Sequence, residues 1–249
     1  MIFPTTDEAA STEIVSAWQA VQEREQQSFK ECWMITQPAH SALAGDLAAA
    51  LRDDLFGPID STVARSIALH DAGWSMDDAE QIQQLRADPK LKPRAFLNAS
   101  VDDFLGAWTR SIDTVEKFAP VGGCLVSRHF QRLSERDAQH DGEKLAGFRA
   151  REQQRQSRLR SRISLQEQAL ELLVDALQFC DLLSLYLCSG SKRSVKFGDP
   201  ALTLIRIGDE YRLEPFPFRE HQQFSFSAMR HPAEVGKKTN SGATFYINL

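Results

Sequence analysis

The chain consists largely of segments in which apolar residues recur every three or four positions, the pattern of amphipathic helices. This pattern predicts helices over residues 11–29, 38–51, 61–71, 100–115, 124–133 and 170–187. Asp60 or Ser61 is expected to cap the third of these helices, and Gly73 to end it. The polar stretch 77–98 contains two X-Pro pairs and is predicted to be a long loop with at most one helical turn.

Two further segments lack a clear helical period. Residues 120–123 read Pro-Val-Gly-Gly and are predicted to separate two helices. Residues 137–168 are charged and Gln-rich, and they are predicted to form a solvated helix face or a mobile connector.

The pattern changes after Gly190. Residues 201–207 and 211–213 flank Gly208 and Asp209, a turn pair suited to a tight hairpin. Residues 224–226 and 244–247 also have strand character, and the short bulky segment 33–36 could join them. We therefore predict a mainly α fold in one domain, 1–249. It comprises a helical body over residues 1–190 and a small antiparallel β-sheet in a C-terminal extension, 191–249, packed on that body.

Composition excludes several classes of protein. The 249 residues include 29 Lys+Arg and 34 Asp+Glu, which gives a formal net charge of −5. This mildly acidic balance argues against a broad nucleic-acid-binding surface, because clustered basic residues supply most of that affinity. The one basic run, from Arg149 to Arg162, has no interleaved aromatic residues and is predicted to be solvated surface.

Neither a secretory signal nor a membrane span is expected. The first residues lack a basic region followed by an apolar one, and acidic residues interrupt the longest apolar tract, 169–188. Four widely spaced cysteines without a C-x-x-C pair are predicted to be reduced, buried thiols. We therefore expect a cytoplasmic protein with neither membrane nor nucleic-acid partners.

Candidate chemistry comes from ionisable residues at positions where the helical pattern calls for apolar ones. His40, His70 and His129 each have apolar residues three and four positions away, and Asp71 and Asp181 interrupt apolar faces in the same way. A buried charge costs several kcal/mol unless a partner or a metal neutralises it. One divalent ion would satisfy all five groups, and imidazole with carboxylate suits Fe, Mn, Zn, Ni or Co.

The remaining ionisable candidates have surface patterns. His140, His221 and His231 lie in polar surroundings and are predicted to be exposed. Asp175 has polar neighbours on its own helix face and is predicted to be an ordinary solvent-facing acid. A single histidine on an apolar face is also most often a hydrogen-bonded core residue, so that interpretation stays open for each of the three candidates.

The order of these residues resembles a known signature. His40, then His70-Asp71 at a helix end, then a distant Asp181 in a late core helix, is similar to the H…HD…D pattern of the HD-domain superfamily of metal-dependent phosphohydrolases. More narrowly, three segments resemble an uncharacterised bacterial family, known only as a domain of unknown function and related to that superfamily. They are residues 35–40 (ITQPAH), 68–74 (ALHDAGW) and 125–130 (LVSRHF). The similarity spans residues 33–181.

The resemblance implies an HD-domain-like helical bundle in which His40, His70, Asp71 and Asp181 ligate a divalent metal ion. His129 would be an extra ligand of a two-metal variant, or a donor to bound phosphate or water. The chain lacks a second extra histidine and a downstream Gly-Tyr-Pro element. The cyclic-dinucleotide phosphodiesterase activity found in part of that superfamily is therefore not expected.

The implied activity is hydrolysis of a small phosphorylated substrate by metal-activated water. Asp71 would ligate the metal and orient the water, and Arg128, beside His129, would clamp phosphate. Lys92 and Arg94 are weaker candidates for that clamp.

Two nearby acids remain ambiguous. Asp77 or Asp78 would act as a base or cap a helix. Alternative functions are a non-catalytic metal-binding or sensor protein with a degenerate site, and a protein whose histidines only form hydrogen bonds in the core.

Overall fold

The computed structural model describes residues 13–25, 31–136, 142–198, 200–207, 210–232 and 242–249. Over these residues the protein is mainly helical, as predicted. Its helices are α1 (Ala17–Glu25), α2 (Gln37–Ala50), α3 (Asp53–Phe56), α4 (Ser61–Ala68), α5 (Ser75–Ala87), α6 (Val101–Phe118), α7 (Pro120–Arg136), α8 (Gly142–Arg160) and α9 (Glu167–Ser189). Two short 3-10 turns lie at Ala72–Trp74 and Phe96–Asn98.

The strands form two small sheets, whereas one was predicted. Their bounds are β1 (Val15–Ser16), β2 (Cys32–Met34), β3 (Val195–Phe197), β4 (Leu202–Ile207), β5 (Glu210–Glu214), β6 (Gln223–His231) and β7 (Gly242–Asn248). One sheet has the order β1-β3-β4-β5 with β1 parallel to β3, and the other has the order β2-β6-β7. In each sheet a short N-terminal strand pairs with C-terminal strands, which ties the two ends of the chain together.

The predicted hairpin is confirmed by the antiparallel pairing of β4 with β5, in which Leu204 faces Leu213. Its turn residues, Gly208 and Asp209, lie outside the described residues. The predicted strands at 224–226 and 244–247 are also confirmed, as parts of β6 and β7. The predicted strand at 33–36 is confirmed in part as β2, which pairs with β6.

The central element is α9, which contacts α1, α2, α3 and α7. Leu170, Leu177 and Leu183 on this helix are fully buried. By length and composition α9 could cross a membrane, but most of it is buried inside the fold, as in the core helix of a soluble protein. One hydrophobic core includes α9 residues together with Leu204 of β4 and Phe224 of β6, so the helices and the sheets share it.

Helix caps explain three of the correctly predicted helix starts. The Thr36 side chain accepts a hydrogen bond from the Ala39 amide at the start of α2, where Pro38 occupies the first turn. Asp60 caps α4. Ser100 and Asp103 form a capping box at α6. Each cap satisfies backbone amides that have no partner within the helix.

The loop predicted over 77–98 is wrong for its first half, because α5 occupies Ser75–Ala87. Asp77 and Asp78 in the first turn and Arg86 in the last suit the helix dipole. Only Asp78 and Leu85 of this helix are buried. Apolar residues at helical spacing are therefore almost absent from this segment, which is why its sequence does not predict a helix.

The predicted break between two helices is present, but it lies at Ala119, because residues 120–123 form the first turn of α7. Proline is tolerated in a first turn because its missing amide would have no partner there. A Cβ on Gly122 would lie 2.2 Å from Oγ of Ser66 and 2.6 Å from Cγ1 of Val115. This glycine therefore permits close packing of α7 on α4 and α6.

The basic run lies mainly on α8 and is engaged in ion pairs. Arg155 and Arg158 both bond to Glu116, at 2.7 and 2.8 Å. This agrees with the predicted solvated helix face for the part of 137–168 that the structure describes. The four cysteines are buried free thiols, as predicted.

Candidate metal centre

The His70-Asp71 pair lies just beyond the end of α4, in a turn that is pressed against α6. The amide of Gly73 donates to Oγ of Ser111 at 2.9 Å. A Cβ on Gly73 would lie 2.0 Å from the carbonyl oxygen of Ala107, so only glycine fits this approach. Gly73 was predicted to end the helix, but α4 ends earlier, and the glycine instead permits this contact.

The structure brings the five predicted ligand residues together. Nε2 of His40 and Nε2 of His70 each lie 3.2 Å from Oδ1 of Asp181. Nε2 of His129 lies 3.6 Å from Oδ2 of the same carboxylate. Oδ2 of Asp71 lies 3.5 Å from Nε2 of His40 and 3.7 Å from Nε2 of His70. All five residues are at most 9% exposed.

The donor set fits a divalent cation. Ligands held about 2.1 Å from one ion lie about 3.0 to 3.4 Å apart at octahedral and tetrahedral angles. The shortest of these nitrogen–oxygen separations fall in that range, and the others exceed it by a few tenths of an ångström. Two overlapping groups, His40 with His70 and Asp71, and His70 with His129 and Asp181, each place their ligand atoms within 4.8 Å of one another.

Backbone and hydroxyl contacts orient His70. Its Nδ1 lies 2.8 Å from the carbonyl oxygen of Ile67, so a proton on Nδ1 leaves the Nε2 lone pair facing the centre. Oγ of Ser41 lies 3.0 Å from the same Nδ1, donates to the Ala68 carbonyl and accepts from the Asp71 amide. Sequence reasoning missed Ser41, whose only signal was its position next to His40.

The charged groups in the centre shift one another's pKa values. Burial alone would lower the pKa of His70, but the carboxylates of Asp71 and Asp181 raise it to about 9. Burial opposes ionisation of Asp181, yet hydrogen bonds from His40 and His70 hold its pKa well below the usual range. Burial raises the pKa of Asp71 despite the nearby imidazoles. The metal-free centre therefore holds a proton that a cation would displace.

The centre lies in the wall of a cavity of about 920 Å³, to which His70, Asp71, His129 and Asp181 contribute. The rest of the wall is mostly apolar. Its aromatic residues are Trp18, Trp74, Phe96, Phe104, Trp108, Phe130, Phe179 and Phe197. Among the described residues that line the cavity, none is Lys or Arg.

Arg128, predicted to clamp phosphate, is not brought to the cavity. Its Nη1 lies 2.6 Å from Oε1 of Glu167 and also bonds to Glu171. The weaker candidates Lys92 and Arg94 do not line the cavity either. The predicted phosphate clamp is therefore wrong for Arg128, because acids on α9 hold its guanidinium.

The two acids that follow Trp74 have structural partners. Asp78 is buried, and its Oδ2 accepts the Gln37 amide at 2.7 Å, so it caps the start of α2. Asp77 pairs with Arg110. The capping alternative therefore describes Asp78, although the helix that it caps is not its own.

The other predicted surface residues differ in outcome. His221 is exposed, as predicted, and His140 lies outside the described residues. His231 is buried, with Nε2 3.2 Å from the Leu91 carbonyl, so its predicted exposure is wrong. Asp175 is half-buried and pairs with Arg132 at 2.6 Å, where a solvent-facing acid was predicted.

A further cavity residue, Gln37, was missed as a candidate. Its side chain is buried, and neither Nε2 nor Oε1 has a hydrogen-bond partner among the described residues. It precedes His40 by three positions, so the two share a face of α2. That spacing was the one available sequence signal.

Comparison with curated proteins and with solved structures finds no match for this chain. One family model, described as a protein of unknown function (DUF3891), matches residues 23–230 and so includes the five ligand-type residues. Since this match covers most of the sequence, the chain belongs to the DUF3891 family.

Proposed function

We propose that the chain is a metal-dependent hydrolase, and that its substrate is a small phosphoester. One observation carries the proposal: five buried ligand-type side chains from α2, the His70-Asp71 turn, α7 and α9 converge, and four of them, all but His40, line a substrate-sized cavity. The phosphoester class and an HD-type centre come from the resemblance of His40, His70-Asp71 and Asp181 to the HD-domain signature.

The residues have distinct roles in this proposal. His40, His70 and Asp181 would hold the cation, because their ligand atoms lie closest together. A bound divalent cation lowers the pKa of water and stabilises charge on the oxygens of the reacting phosphate. Oδ2 of Asp71, whose pKa is raised by burial, accepts the proton of the attacking water. His129 lies on the cavity wall beside Asp181 and donates to the departing oxygen.

The test combines metal analysis with turnover. The purified chain is loaded in turn with Mn²⁺, Fe²⁺, Zn²⁺, Ni²⁺ and Co²⁺, desalted, and assayed for bound metal and for release of phosphate from a phosphoester panel. We expect bound metal and activity in the wild type, and loss of both in His70→Ala and Asp181→Ala. His221→Ala, an exposed histidine, is the matched control and should keep both. A wild type that retains none of these metals would overturn the proposal.

A second candidate is a metal-binding protein without turnover, such as a sensor. It is favoured by the absence of Lys and Arg from the described cavity lining, since phosphate-transferring sites commonly use basic clamps. In that case the same experiment shows retained metal, with its loss in the two variants, but no release of phosphate from any ester.

A further inference from the structure

We propose that the cavity beside the metal centre binds an uncharged, flat ring with an amide-like hydrogen-bonding edge. The proposal rests on the hydrolase function above only for the chemistry that follows binding, in which this ring would be the organic part of the substrate. Three features of the cavity wall carry it: an aromatic row, a buried carboxamide and the absence of cations.

The aromatic row is a chain of ring contacts in the cavity wall that begins beside His129. The ring of Phe130 lies 5.0 Å from that of His129 and stacks on Trp108 at 5.0 Å and 16°. Phe104 lies 5.6 Å from Trp108 and meets Trp74 edge to face at 5.4 Å. Flat rings gain stacking and edge-to-face contacts on such a wall that saturated rings do not.

The carboxamide of Gln37 supplies the polar element. Its residue is only 1% exposed, and both of its polar atoms lack hydrogen-bond partners among the described residues. Leaving a buried amide without partners costs free energy, so such a group in a native fold calls for an explanation. Both atoms are closed to water in this structure, so the side chain must rotate toward the cavity that Gln37 lines. A ring that bears both a donor and an acceptor on one edge would then satisfy Nε2 and Oε1 together.

The charge of the wall limits the ligand. The ionisable groups among the described lining residues are two histidines and the carboxylates of Asp71 and Asp181. A ligand with several phosphates would meet those carboxylates with no basic side chain to offset its charge. The cavity volume of about 920 Å³ is that of a drug-sized ligand site. A ring-bearing compound with little charge fits these limits.

The test is a titration of the metal-loaded full chain, followed by tryptophan fluorescence. Trp18, Trp74 and Trp108 line the cavity and make up three of the four tryptophans, so a ligand there changes the signal. The probes are benzamide, adenine, cyclohexanecarboxamide and benzenesulfonate, and the last is tested on the metal-free chain, where no cation attracts it. We expect saturable quenching by benzamide and adenine, and affinity lower by about tenfold or more for the saturated ring and for the anion.

Variants assign the contacts. Gln37→Leu should weaken benzamide by about tenfold while raising the melting temperature, because it removes an unpaired buried amide. A merely structural glutamine would instead lower that temperature. Phe104→Leu should weaken both flat probes and leave metal content unchanged. Gln83→Leu, at an exposed position of α5, is the control and should change neither. Gln37→Met replaces the leucine variant should that variant fail to fold.

The outcomes separate the ring site from the hydrolase. Tighter binding of adenine than of benzamide would indicate that the natural ring is a nucleobase. Tighter binding of benzamide would indicate an aromatic ring that is not a nucleobase. Either result supports a flat ring with an amide-like edge as the ligand. Absence of saturable quenching, equal binding of cyclohexanecarboxamide, or indifference to both Gln37 and Phe104 variants would overturn the proposal. Since benzamide carries no phosphoester, a chain that hydrolyses nothing can still bind it.

Discussion

Nε2 of His70 lies 3.2 Å from Oδ1 of Asp181, although the two residues are 111 positions apart in the chain. The contact joins the turn after α4 to the central helix α9, and both side chains are buried. It gives the fold a polar junction at the point where helix packing would otherwise be apolar.

Removal of the Asp181 carboxylate should abolish metal retention. In Asp181→Ala the group that lies closest to three imidazoles is lost, and we expect metal affinity to fall by about 100-fold or more. Asp175→Ala is the matched control. Asp175 is an acid on the same helix, but its carboxylate pairs with Arg132 and not with the imidazoles. Metal analysis after desalting measures both variants. Equal metal content in Asp181→Ala and wild type would exclude Asp181 as a ligand.

Metal affinity should rise with pH. A cation competes with the proton of His70, whose pKa in the metal-free chain is raised to about 9. Below that value each pH unit should change the apparent affinity by about tenfold, and above it the dependence should flatten. Competition with a chelator between pH 7 and 10 measures the slope. A flat profile across this range would show that His70 is not protonated in the metal-free centre.

The stability of the metal-free chain should have the opposite pH dependence. Because the folded pKa of His70 exceeds its ordinary value of 6.5, the stabilisation is complete below pH 6.5 and is lost as pH rises through about 9. A shift of this size corresponds to about 3 kcal/mol in the free energy of unfolding. Urea denaturation of chelator-treated protein at pH 6.5 and 9 measures the difference. His70→Ala should lack most of it.

Much of the centre could be predicted from the sequence, because its residues interrupt apolar helix faces. His40, His129 and Asp181 are polar at positions where the 3.6-residue period requires burial, and a buried polar group needs a partner. The partners are far apart in the sequence. The helical spacing therefore predicts that each residue is buried, but it does not predict which side-chain atoms lie next to one another. The shared Oδ1 of Asp181 appears only in three dimensions.

The predictions for Arg128 and His231 were wrong because contacts between distant segments cannot be seen in a local sequence pattern. Arg128 is adjacent to His129 in sequence, but adjacent residues on a helix are about 100° apart around its axis, so they face different neighbours. The acids that hold Arg128, Glu167 and Glu171, belong to another helix. His231 has polar sequence neighbours, yet it is buried at the end of β6, with its Nε2 against the carbonyl of Leu91. Both errors arose from contacts between distant segments.

Loss of the Ser41 hydroxyl should weaken metal binding without unfolding the chain. Ser41 supports both residues of the His70-Asp71 pair, through Nδ1 of the histidine and the backbone amide of the aspartate. Removal of such an outer partner typically costs about 10- to 100-fold in metal affinity. Ser75→Ala is the matched control, since its Oγ donates to the Ala72 carbonyl within its own turn and not to a residue of the metal centre. Chelator competition on both variants should show the loss in Ser41→Ala alone.

A methyl group at Gly73 should both destabilise the fold and displace the metal centre. The added Cβ would lie 2.0 Å from the Ala107 carbonyl and 2.7 Å from the Ser111 amide, which are backbone atoms of α6 that cannot rotate away. Overpacking of this kind typically costs about 1 to 3 kcal/mol. Because the same turn carries His70 and Asp71, relief of the clash moves both side chains, and metal affinity should fall with stability.

Gly142→Ala provides the comparison for Gly73→Ala, because a Cβ at Gly142 meets nothing within 4 Å. Gly142 is the first residue of α8, where alanine favours the helix, so this variant should be neutral or slightly stabilised. Thermal unfolding and metal content are measured for both. A Gly73→Ala chain that kept its stability but lost metal would place the whole effect in the position of the His70-Asp71 pair. A chain that kept both would show that the turn can move away from α6 at no cost, contrary to the packing described above.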